Sequence, residues 1–81
     1  MIPTDQEIID CLRTGCRTAT DIVVRLHGLD GTGTAREYTE YYYRRNSYNR
    51  RLNSLARYGI VKKVGMERYG GCVRMAFEVV E

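Results

Sequence analysis

Positions 44 to 57 read RRNSYNRRLNSLAR, five arginines and three asparagines in fourteen positions with no acid among them. Every one of those eight side chains donates hydrogen bonds, and the arginines carry a fixed positive charge. Asn46, Arg50, Asn53 and Arg57 follow at spacings of 4, 3 and 4, which places them along one face of a helix. Arg44 and Arg51 flank the row, and Tyr48, Leu52, Leu55 and Ala56 fall on the opposite, apolar side. A basic helix face is usually tempered by acids one turn away. Residues 44–66 hold no Asp or Glu, so the window contains no acid to do it. The chemistry such a face suits is the capture of a polyanion.

The charge of the whole chain is arranged in the same sense. Residues 1–43 carry four Arg against seven acids, a balance of −3, while residues 44–74 carry seven Arg and two Lys against Glu67 alone, a balance of +8. Segregation of this kind is the footprint of a nucleic-acid or acidic-membrane surface. The 81 residues make one domain, and a chain this short buries only roughly 60–65% of its unfolded surface. No apolar run approaches the roughly 20 residues needed to span a bilayer, so no membrane is expected. The start, MIPTDQEIID, lacks the basic-then-apolar pattern of an export signal. A cytoplasmic protein is therefore expected, with Cys11, Cys16 and Cys72 as reduced thiols.

The elements that must hold the donor row can be read from their end signals. TDQE offers a capping box from Thr4 to Glu7, with Ile8, Cys11 and Leu12 behind it on one face, and Gly15 stops a helix placed at 4–14. A second helix at 18–27 starts from Thr18 with Asp21 three residues on, buries Ile22, Val23 and Leu26, and ends at Gly28. Residues 28–34, GLDGTGT, are a loop by composition. TARE gives a further capping box from Thr34 to Glu37, opening a tyrosine-rich segment and a helix within 35–58. Arg45 falls within the apolar stripe of that segment, which argues for a break or fresh start near residues 43–47. Residues 60–80 read as a hairpin, with a first strand from Ile60 to Met66 and Gly70-Gly71 turning the chain. Val73, Met75, Phe77 and Val79 then alternate strictly with Cys72, Arg74, Ala76 and Glu78, and Lys63, Arg68 and Arg74 occupy the other face and tip.

Helix, helix, helix, basic hairpin is the element order of a winged helix-turn-helix domain, and RRLNSLARYGIVKKV resembles the end of that superfamily's recognition helix running into its wing. The resemblance extends over residues 4 to 80 in element order. It implies an α+β, mostly helical fold, a three-helix core with a C-terminal β-hairpin wing, and double-stranded DNA as the partner. The third helix would enter the major groove, and the wing would lie on the backbone or in the adjacent minor groove. On that implication Asn46, Arg50 and Asn53, with Arg45, Ser47, Asn49 and Arg57 beside them, face base edges, since Arg pairs with guanine and Asn with adenine. Arg44, Arg51, Lys62, Lys63, Arg68 and Arg74 suit phosphates. Thr18 and Thr20 at the start of the second helix would add hydroxyl and N–H contacts to a phosphate, and Tyr69 would pack on a sugar.

The sequence departs from the family between its second and third helices, where the usual turn is 3–4 residues and here a longer stretch carries Tyr38, Tyr41, Tyr42 and Tyr43. Three readings stand open: rings completing a small core, a homodimer surface through Tyr38–Tyr43 (the first helix being the other candidate for such a surface), or an extended recognition helix whose first turns carry tyrosines to the DNA backbone. Cys11, Cys16, His27 and Cys72 do not have spacing that recommends a metal, and no cofactor is expected. There is one histidine, no nucleophile with an adjacent base, and GLDGTGT lacks the lysine of a phosphate-binding loop, so no enzyme is expected. The resulting expectation is a sequence-specific DNA-binding regulator of transcription. The alternative is a winged helix that docks other proteins in a transcription or replication complex.

Overall fold

The computed structural model describes residues 5–69 and 72–80, of Tyr69 and Cys72 the backbone only. The elements run α1 (Asp5–Arg13), α2 (Ala19–His27), α3 (Ala35–Arg57), β1 (Val61–Tyr69) and β2 (Cys72–Val79). This is a mostly helical α+β arrangement, a helix-turn-helix followed by a hairpin wing. No helix among the described residues is long and apolar enough to cross a membrane.

Local chemistry accounts for most of the boundaries. In α1, Ile8, Cys11 and Leu12 are buried on one side; the expected cap Thr4 lies outside the described residues. Past Arg13 the Thr14 hydroxyl donates to the carbonyls of Asp10 and Cys11 at 3.1 and 3.0 Å, and Gly15 at φ +111° turns the chain. The Thr18–Asp21 capping box opens α2, and Gly28, left-handed at φ +66°, closes it with its N–H donating to the Val24 carbonyl. A second capping box, Thr34–Glu37, opens α3.

The break expected near residues 43–47 does not occur. α3 is continuous over 23 residues, roughly 34 Å at about 1.5 Å per residue. Its interior contains neither Gly nor Pro. Arg45 does not put a bare charge into the core, because its guanidinium lies over the Tyr42 ring, 4.4 Å from the centroid, and 5.9 Å from that of Tyr41. Continuity shortens the α2–α3 connection to residues 28–34.

The core draws on every element: Ile8, Cys11 and Leu12 of α1, Ile22 and Val23 of α2, Tyr41, Tyr48, Leu52 and Leu55 of α3, then Val61 and Phe77 from the hairpin. Fully burying a side chain such as Leu52 or Phe77 contributes about 1.5–3 kcal/mol. Of the four tyrosines between 38 and 43, Tyr41 alone completes this core, while Tyr38, Tyr42 and Tyr43 stay exposed. Buried phenols need partners: the Tyr41 hydroxyl meets Thr20 at 3.4 Å, and that of Tyr48 meets His27.

The hairpin is antiparallel, with Val61 opposite Val79 and Tyr69 opposite Cys72. β1 runs on past Met66 to Tyr69, and the expected glycine turn at 70–71 lies outside the described residues. A bulge at Val64 shifts the register between Lys63 and Gly65, and of the alternating apolar set in β2, Met75, Phe77 and Val79 pack on the core. Ala76 and Phe77 are both buried, whereas Val73 is 45% exposed. One residue of the α1–α2 turn ties the wing down: the Phe77 N–H donates to the Arg17 carbonyl at 2.7 Å. The Arg17 guanidinium also bridges Glu67 and Glu78, which flank the Gly65–Ala76 pair on one side of the hairpin.

Candidate nucleic-acid interface

The second half of α3 turns Tyr48, Leu52 and Leu55 inward. Asn46, Asn49, Arg50 and Arg57 are left exposed, with Ser47 and Asn53 half-buried beside them. Arg50 and Arg57 have no ion pair or hydrogen bond among the described residues. The amides are partly oriented by the helix: Asn53 Nδ2 donates to the Asn49 carbonyl at 2.9 Å, and Asn46 Oδ1 accepts from Arg45 at 3.5 Å.

Past Gly59 this face continues into a cleft between the end of α3 and the start of β1, lined by Asn53, Arg57, Lys62 and Lys63 and, among the described residues, by no acid. Lys62 stands opposite Glu78 in the register, yet the Glu78 carboxylate is held by Arg17 instead. Arg68 is exposed further out on β1. Arg74 is half-buried, with Nη1 donating to the Val73 carbonyl at 3.2 Å. The Tyr69 side chain lies outside the described residues. Arg50, Arg57, Lys62, Lys63 and Arg68 thus form a set of cations without acidic partners among the described residues, reaching from the middle of α3 along the wing.

Three arginines expected in the same role are already engaged. Arg44 pairs with Glu40 one turn upstream at 2.9 Å, and Arg51 reaches back to Asp5 of α1 at 2.5 Å. Both acids come from the acidic first half of the chain, Glu40 from one turn before the acid-free window and Asp5 from α1, 46 residues before Arg51. Pairs this exposed contribute only about 0.2–1 kcal/mol. Arg45 is committed to the tyrosine rings.

The start of α2 does not offer the phosphate contact expected of it. Thr18 is fully buried as the N-cap, its hydroxyl accepting from the Asp21 N–H. The Asp21 carboxylate accepts from the backbone N–H groups of Thr18 and Arg17, so the anion site of this helix end is filled from within the chain. Thr20 is half-buried and bonded to Tyr41. Capping boxes at both helix starts could be read from the sequence; that they occupy the sites where an external phosphate would sit is their geometric corollary.

Among the described residues no group of three His, Cys, Asp or Glu side chains is placed to hold a metal. Burial pushes the Cys11 thiol up to about 11 and raises that of Cys16 as well, which keeps both as inert thiols. Arg17 is the structural contributor that pattern reading missed. Its partners lie 50 and 61 residues away, and only the long-range fold brings them together. Set beside known proteins, the chain matches no family model, no curated protein and no solved structure.

Proposed function

We propose that this protein binds double-stranded DNA in a sequence-specific way and acts in the cytoplasm as a transcriptional regulator of the winged helix type. The observation that carries the reading is the acid-free run of donors from Asn46 to Arg57, continuous with Lys62, Lys63 and Arg68 on the wing. In the proposed complex the Asn46, Asn49, Arg50 and Asn53 side of α3 enters the major groove. Arg57, Lys62 and Lys63 straddle a phosphate strand, and β1 carries Arg68 along the backbone. Arg50 and the asparagines supply base readout, and the lysines supply affinity without sequence information.

The test is fluorescence anisotropy with mixed-sequence duplex DNA at about 50 and about 200 mM salt, followed by selection of a preferred site. Neutralising about five phosphates should weaken binding roughly 500-fold over that range, from a slope of about −0.9 per phosphate. On the selected site, Arg50→Ala should cost about 1–3 kcal/mol and relax the preference at one base pair. Absence of binding at the lower salt would overturn the proposal and turn the search to an acidic protein partner.

A further inference from the structure

Tyr38 and Tyr42 stand one turn apart on α3, and the next residue in that step of four is Asn46, the first of the donor row. All three are exposed, the two rings at 50% and 45%. Tyr43, at 62%, lies beside them. The rings are organised: Tyr38 and Tyr42 pack with centroids 6.0 Å apart, and the Arg45 guanidinium covers Tyr42. The acids of this half of the helix are turned to other uses. Glu37 folds back onto the Thr34 backbone and hydroxyl at 3.2 and 3.0 Å, and Glu40 holds Arg44. From Tyr38 to Arg57 the helix therefore presents one face of tyrosine, asparagine and arginine donors, about 28 Å long at about 1.5 Å per residue.

A B-DNA groove winds once around its axis in roughly 34 Å. A straight helix inserted at its C-terminal half cannot follow that curve to its other end, so the first turns of α3 must leave the groove where a phosphate strand borders it. The face met there carries phenol hydroxyls, and the acid beside Tyr43, Glu40, is paired with Arg44. We propose that Tyr38, Tyr42 and Tyr43 form a second contact zone of the same interface, donating hydrogen bonds to phosphate oxygens of the bordering strand and lengthening the site beyond what the arginine–asparagine half reads. This inference rests on the DNA-binding reading and adds the tyrosine half of α3 to it.

Phenols are neutral, so their contacts release no counterions. That separates them from the lysines in one titration. The variants are Tyr38→Phe with Tyr42→Phe, and Tyr43→Phe, which keep every ring and the stacking of Arg45 while removing only hydroxyls. Lys62→Ala is the comparator, and affinity for the selected duplex is measured across salt concentrations. The double variant should bind on the order of tenfold more weakly at every salt concentration, with an unchanged slope of log Kd against log salt. Lys62→Ala should flatten the slope by about one phosphate. If wild-type protein binds DNA and the phenylalanine variants bind equally well, the tyrosine zone is overturned and the rest of the interface stands. If wild-type protein does not bind, the DNA reading itself has failed. Sedimentation equilibrium of the same proteins covers the remaining outcome: a wild-type dimer that becomes monomeric in the double variant would mean that these hydroxyls join two copies, and the inference would fall.

Discussion

His27 closes α2 with its ring stacked on Tyr48, centroids 5.8 Å apart and planes 15° from parallel, and its Nε2 bonded to the Tyr48 hydroxyl. Arg44 Nη1 stands 3.4 Å from the same nitrogen. Burial, reinforced by the Arg44 charge and partly offset by Glu40, holds the imidazole below its ordinary value of 6.5. An unfolded chain therefore takes up a proton here at a pH where the native chain does not. Stability is full above about 6.5 and is lost as pH falls from there toward the depressed native value. Urea midpoints should drop between about pH 7.5 and about pH 5.5, and His27→Gln should remove part of that drop; an equal drop in both proteins would exclude His27 as its source. The donors themselves are plain in the sequence, but their availability is not. Arg50 and Arg51 are neighbours of identical type, and only the packing of α1 against α3, which brings Asp5 to Arg51, separates the unpaired one from the paired one. Glu40 was visible one turn before Arg44, a local pairing signal that lay just upstream of the acid-free stretch.

At the scale of elements, α3 depends on its first turn. The Thr34 hydroxyl accepts from the Glu37 N–H at 3.2 Å, and Glu37 returns the bond to the Thr34 N–H. Thr34→Ala should cost about 1 kcal/mol and fray α3 from its start, so amide exchange should accelerate around Tyr38 and remain slow at Leu52. Uniform acceleration along the helix would show that the cap does not act locally. The helix starts and stops were legible because each is a short-range event: Thr18 with Asp21, Thr34 with Glu37, Gly28 after His27. The unbroken middle of α3 was not legible, because a helical wheel shows Arg45 inside an apolar stripe but not its guanidinium resting on a ring three residues earlier. The wing bulge was hidden for a similar reason. Val64 fits an alternating pattern as well as any valine, and only the pairing of Gly65 with Ala76 shows the extra residue.

Across the whole molecule, the acidic and basic halves interlock rather than sit apart. Asp5 reaches into the basic helix, and Arg17 crosses the other way to hold both acids described on the wing. Arg17 thereby shields the proposed DNA surface from two carboxylates. Arg17→Ala should weaken DNA binding several-fold at about 50 mM salt, and the deficit should shrink at about 200 mM as screening shortens from roughly 14 to roughly 7 Å. A deficit that is the same at both salts would point to displacement of the wing instead. The overall layout was readable from element order, whereas this cross-bracing was not, since it depends on contacts between residues at opposite ends of the chain. The two-stranded wing has a further consequence. A β-ribbon has two open edges, and unpaired edges recruit strands from other molecules. Arg17 occupies part of the β2 edge through the Phe77 N–H. Along β1 the bulge at Val64 interrupts the flat run of backbone groups, and Lys62 and Lys63 stand just before it. The lysines proposed to meet DNA also guard the molecule against edge-to-edge aggregation, so neutralising them would compromise its solubility as well as the proposed contact.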